Sequence, residues 1–235
     1  MEQEHLNQAL TAQFKNPPAA KRGAPFWAWN AELETEELKR QIRIFKQMGF
    51  GGFHMHVRTG LTTPYLSPEF MDRIRDCVDE AKNDRLLAYL YDEDRWPSGA
   101  AGGLVTQNPA FRSRHLLLTR RCYADRDRAA ETSADASARA GRSENGELLA
   151  VYDVTLTPGG QLAQFRRLKQ PDETARGFKL YAYIETALPS TWYNNQTYLD
   201  TLNPKAVQAF IAATHERYYE QVGAEFGRAI PSVLT

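Results

Sequence analysis

The stretch that decides the fold is LAYLYDEDRWPSG, residues 87–99. An apolar run that fits a covered strand ends in three carboxylates, Asp92, Glu93 and Asp94. An arginine, a tryptophan and a Pro-Ser-Gly turn follow. A near-continuous apolar strand suits a parallel sheet covered on both faces. Acids at the mouth of such a strand, beside an aromatic side chain, suit sugar chemistry. Glycoside hydrolysis needs two carboxylates flanking the bond that breaks.

Outward from this stretch the chain alternates strand and helix. Residues 24–30 (APFWAWN) read as a first strand. Thr35 is placed to cap a helix whose first turn carries Glu36 and Glu37, as the helix dipole favours. Leu38, Ile42, Phe45 and Met48 form its apolar stripe, and Gly49 stops it. Residues 50–57 (FGGFHMHV) read as the second strand. Ser67 and Pro68 open the next helix, with Phe70, Ile74, Cys77, Val78 and Ala81 along its buried face. Residues 86–91 complete a third strand.

From about residue 113 to residue 169 the alternation breaks. Residues 115–123 and 148–156 read as β, and 161–168 can pair with the latter across Pro158-Gly159-Gly160. The polar, small-residue stretch between them reads as a mobile loop. Residues 178–185 (FKLYAYIE) are expected as a fourth strand of the main sheet. Asn203-Pro204 starts a helix with Val207, Phe210, Ile211, Thr214, Tyr218 and Val222 inward, and residues 230–234 form a fifth strand. The expected organisation is three βα units over 1–112, a β-rich insertion over 113–170, and a fourth unit with a fifth strand over 171–235. Repeated βα units allow a doubly wound sheet or a barrel. No glycine-rich phosphate loop follows the first strand, and the polar residues gather after strand ends, where barrel sites are built. The expected fold class is therefore α/β, a partial TIM (β/α)8 barrel of about five strands with a small β-rich insertion.

Charge and cysteine usage narrow the partners. The 235 residues carry 29 basic and 29 acidic side chains, a formal net charge of +0. That balance speaks against nucleic acid or a membrane surface as a partner. The two cysteines, Cys77 and Cys122, form no disulfide or metal framework. The first residues show neither a signal peptide nor a transmembrane run, so a cytoplasmic location is expected. Self-association through exposed barrel edges is expected as well.

The candidate site residues follow from strand ends. Asp92, Glu93 and Asp94 are the candidate catalytic acids. His54 and His56 share one strand face, by the two-residue period. That pair suits either a divalent metal, as in metal-dependent barrel hydrolases, or sugar hydroxyls with Arg58 beside them; no third or fourth ligand is evident, and one histidine can equally be a wall residue. Trp27, Trp29 and Trp96 offer rings for stacking against a sugar. Asn30, Glu185, Asn194, Tyr198 and Asp200 can supply hydrogen bonds to a polyol, although Asn and Asp also form turns and caps. No cofactor is evident from these residues. A non-catalytic carbohydrate-binding fragment is the third reading.

Taken together, the motifs PFWAWN (25–30), MGFGGFHMHVRTGL (48–61), YLSPEF (65–70), YDEDRWPSGAAGGLVTQNP (91–109), NNQTYLDTLNP (194–204) and THERYYEQVGAEFGRAIPSVLT (214–235) resemble the barrel of glycoside hydrolase-like proteins related to the α-L-rhamnosidases of glycoside hydrolase family 106. The resemblance spans residues 16–235 outside the insertion. It implies a barrel fold, a carbohydrate substrate and hydrolysis of a glycosidic bond, with an inverting, calcium-dependent reaction in the rhamnosidases themselves. In such proteins the fifth strand runs on into an acidic Thr-Asp-Glu-Pro-like segment. This sequence ends at Thr235 before those acids, so it is expected to be a truncated portion of the catalytic domain that carries part of a site.

Overall fold

The structure is a computed structural model that describes residues 2–123, 143 and 145–235. In chain order its main elements are α1 (Glu2–Lys15), β1 (Phe26–Trp29), α2 (Thr35–Gln47), β2 (Gly52–Val57), α3 (Pro68–Asp84) and β3 (Leu87–Tyr91). Then come β4 (Arg114–Thr119), β5 (Glu147–Leu156), β6 (Leu162–Arg167) and β7 (Phe178–Thr186). Last are α4 (Pro204–Ala213), α5 (His215–Val222) and β8 (Val233–Leu234). The chain divides into two compact units, residues 1–105 with 204–235, and residues 106–203. The expected polar loop falls mostly outside the described residues.

The first unit is built on a parallel sheet in the order β1-β2-β3-β8. Phe26 pairs with His54, Trp29 with Val57, Gly52 with Leu87, and Leu90 with Val233. Strand alternation sends Trp27, Trp29, Phe53, Met55 and Val57 to one face, where Leu38, Ile42, Phe70 and Ile74 cover them in a single core. Helix α3 begins as its sequence demands. Ser67 Oγ accepts from the Phe70 N–H at 3.1 Å, with proline in the first turn. Helix α2 differs in two details. Glu34 occupies its cap position without a side-chain bond. Thr35 Oγ1 instead donates to Asp76 at 2.7 Å and accepts from Arg73 at 2.8 Å, tying α2 to α3. Met48 ends the helix and is exposed, because the apolar stripe stops one turn earlier.

The second unit is a four-stranded antiparallel sheet in the order β4-β7-β5-β6. β5 and β6 pair across the Pro158-Gly159-Gly160 turn, where Gly160 takes a φ of 80° that favours glycine. β7, expected as a fourth strand of the main sheet, lies between β4 and β5 and runs antiparallel to both. Its alternating pattern satisfies either sheet, and antiparallel partners are available within its own unit without a crossover helix. The fold shown is therefore mixed α/β, with a parallel and an antiparallel sheet and no closed barrel among the described residues.

Candidate functional site

The segment after β3 is organised by Glu93. Its side chain is buried, and five backbone N–H groups converge on it. Oε1 accepts from Asp94 at 2.8 Å and Gly102 at 2.6 Å. Oε2 accepts from Gly99 at 2.9 Å and from Ala100 and Ala101 at 2.7 Å each. Ala101 (φ 51°) and Gly102 (φ 63°) adopt left-handed backbone, which turns successive N–H groups toward one point, as in an anion nest. Burial pushes the Glu93 carboxyl above the usual range, while the amide bonds pull it back. A carboxylate offers about four lone-pair directions, and here all are taken by donors. Glu93 therefore shapes the loop and has no capacity left for a substrate.

Asp92 is fully buried at the end of β3. Its Oδ1 accepts from Ser98 Oγ at 2.6 Å, and its Oδ2 lies 2.8 Å from His215 Nε2. His215 opens α5, and Tyr218 one turn later donates to the Tyr91 carbonyl at 3.0 Å. Asp94, next in the segment, has Arg95 Nε at 3.5 Å. Trp96 is 65% exposed, so an indole face stands at the surface beside these acids.

The sheet face opposite the helices carries the two histidines. His56 is sandwiched between Phe26 and Tyr91, with ring centroids 3.8 Å away on each side. Its Nδ1 is 2.8 Å from the Val57 carbonyl, so that nitrogen carries the proton and donates. Burial lowers the imidazole to about 4, and Arg58 and His54 add to the effect. Burial likewise pushes Tyr91 up to about 12. His54 stacks on Tyr89 at 4.4 Å, and burial lowers it as well.

The structure brings Asp92, Glu93, Asp94, His54, His56, Arg58, Asn30 and Trp96 to the carboxyl ends of β1, β2 and β3 or to the strand face beneath them. Trp27 and Trp29 lie on β1 and point to the other face. Trp27 donates to Gln41 at 2.7 Å and packs edge-on against Phe45 and Phe53, and Trp29 packs on Phe70. They are core side chains, because the face they share is the one α2 and α3 cover. Glu185, Asn194, Tyr198 and Asp200 belong to the second unit. There Glu185 is buried and accepts from Tyr123 Oη at 2.6 Å and from Ser143. Asp200 pairs with Arg114 at 3.2 Å, Asn194 ends a short helical turn at a φ of 54°, and Tyr198 stacks loosely on Tyr193. Sequence reasoning overlooked His215. It lies 123 positions from Asp92, and no local motif links the two.

Among the described residues, no group of three or more His, Cys, Asp or Glu side chains could hold a metal ion. The oxygens of Asp92 and Glu93 are already committed to hydrogen-bond donors, so the donor set does not fit the calcium that the resemblance implies. His54 and His56 share a face, but each ring is stacked on a tyrosine. No described helix is long and apolar enough to cross a membrane.

Comparison with known proteins adds little. No family model matches the chain, and no curated protein matches it. Among solved structures, a rhamnosidase from Novosphingobium sp. PP1Y is similar over 46% of this chain and 11% of that chain, at 22% identity and a TM-score of 0.37. A likeness of that degree carries no argument about activity, and this chain spans about a tenth of that one.

Proposed function

We propose that this chain is part of a carbohydrate-active protein that hydrolyses a glycosidic bond in the manner of a rhamnosidase. Its four parallel strands would then belong to a (β/α)8 barrel. The observation that carries this reading is the placement of Asp92 and Asp94 at the carboxyl end of β3 in different surroundings. One is sealed between a serine and a histidine; the other sits beside an arginine next to an exposed indole. Carboxylates with divergent environments are how one site assigns separate roles to two acids. Barrel enzymes build such sites at this end of the sheet. Asp94 is the acid nearest to substrate in this reading, Trp96 stacks against the sugar ring, and Arg58 and Asn30 hold hydroxyls.

A panel of aryl glycosides that includes an α-L-rhamnoside tests the proposal. Turnover by the chain that falls about 100-fold or more in Asp94→Asn supports it. Sugar binding without turnover would instead indicate a non-catalytic carbohydrate-binding fragment. Absence of both binding and turnover across the panel refutes the reading.

A further inference from the structure

We propose that His215 is the proton-accepting side chain of this site and that Asp92 is its positioning residue. The inference rests on the glycoside reading for its substrate, a hydroxyl-bearing molecule or the water that attacks it. The geometry behind it stands on its own.

Helix α4 ends at Ala213, and Thr214 breaks the helical path with φ −117° and ψ −74°. Its hydroxyl donates back to the Phe210 carbonyl at 2.8 Å. α5 restarts at His215, so this histidine occupies the first turn. His215 and Tyr218 are three positions apart and share a helix face. Tyr218 reaches the carbonyl of Tyr91, and His215 reaches the carboxylate of the next residue, Asp92. One helical turn thus addresses two consecutive residues at the mouth of β3.

The two partners differ sharply in exposure. The Asp92 side chain is 0% exposed and that of His215 is 38% exposed. The carboxylate accepts from Ser98 through one oxygen and faces Nε2 through the other. A carboxylate only accepts, so Nε2 carries the hydrogen and donates it. The neutral ring then keeps its lone pair on Nδ1, which has no hydrogen bond among the described residues. A half-exposed imidazole with an open nitrogen, held in one tautomer by a buried carboxylate, is built to take a proton. In the step itself the O–H bond of the bound hydroxyl or water breaks and an N–H bond forms at Nδ1. The positive ring is then balanced by Asp92.

The experiment is nitrogen-15 NMR of the histidine-labelled chain, at a pH well above the ordinary histidine range. The expected result is a single His215 tautomer protonated at Nε2. In Asp92→Asn, Ser98 still donates to the side-chain oxygen, so the amide NH2 faces Nε2 and the ring switches to Nδ1–H. The switch identifies Asp92 as the group that fixes the ring's tautomer, and the turnover of His215→Gln reads proton acceptance. A wild-type ring protonated at Nδ1, or an unchanged tautomer in a folded Asp92→Asn chain, overturns the proposal. Glycoside turnover gives the second readout. His215→Gln is expected to lose about 100-fold or more, and turnover within about twofold of wild type overturns proton acceptance while leaving the glycoside reading intact. The tautomer measurement needs no sugar, so failure of that reading is recognised separately.

Discussion

His56 makes the first unit sensitive to acid, and the size of the effect follows from its surroundings. The imidazole is 2% exposed between two aromatic rings, and Arg58 and His54 oppose a further positive charge. Its pKa falls from 6.5 to about 4 on folding. Between those values the unfolded chain binds a proton that the folded chain does not. Stability is therefore full above pH 6.5 and is lost as the pH falls toward 4. Each pKa unit corresponds to 1.36 kcal/mol, so the drop amounts to about 3 kcal/mol. Carboxylates titrate over part of the same range, so the measurement is a difference. Guanidinium unfolding of wild type and His56→Phe would be followed at stepped pH by the fluorescence of the buried Trp27 and Trp29. Phenylalanine keeps the ring stack and removes the titration; losing the Val57 hydrogen bond adds an offset that does not vary with pH. Wild type is expected to lose about 3 kcal/mol more than the variant across the window. Parallel stability curves for the two chains would refute the reasoning.

Two other substitutions probe the frame of the site. Glu93→Ala removes the acceptor of five N–H groups. Water replaces it for some of them, and two donors left dry cost about 2–6 kcal/mol; added acetate should refill the cradle and restore part of the loss. Stability within about 0.5 kcal/mol of wild type would mean that the cradle does not hold the loop. Gly52→Ala puts a Cβ 2.3 Å from the Leu87 carbonyl oxygen, so β2 and β3 must part. An urea-unfolding loss of at least about 2 kcal/mol is expected, and a neutral result would contradict the β2–β3 pairing.

The sequence made some of this legible because the cause was local. Ser67-Pro68 specifies a helix start through one side-chain bond and one fixed dihedral, both encoded within four residues. The shared face of Trp27 and Trp29 follows from the strand period. Which side that face turns to depends on α2 and α3, whose apolar stripes match it, and a strand's own pattern is silent on that choice. β7 shows the same limit. Its pattern fits a parallel or an antiparallel neighbour, and pairing with β4 and β5 decided the matter. The His215–Asp92 pair was the least legible, because nothing in either neighbourhood encodes a partner 123 positions away.

The acid run at 92–94 shows how identical chemistry along a chain separates into distinct roles. At a strand end the backbone direction changes residue by residue, so three adjacent carboxylates meet three environments. Asp92 stays within the buried layer and finds the histidine that α5 delivers. Glu93 turns back into its own loop and satisfies amides that would otherwise be buried without acceptors. Asp94, also buried, lies beside Arg95 and precedes the exposed Trp96. The roles can therefore be separated by measurement. Loss of Glu93 should register first in stability, loss of Asp92 in the tautomer of His215, and loss of Asp94 most strongly in turnover. A protein in which all three substitutions produced the same defect would have a single collapsed loop in place of a site with divided labour.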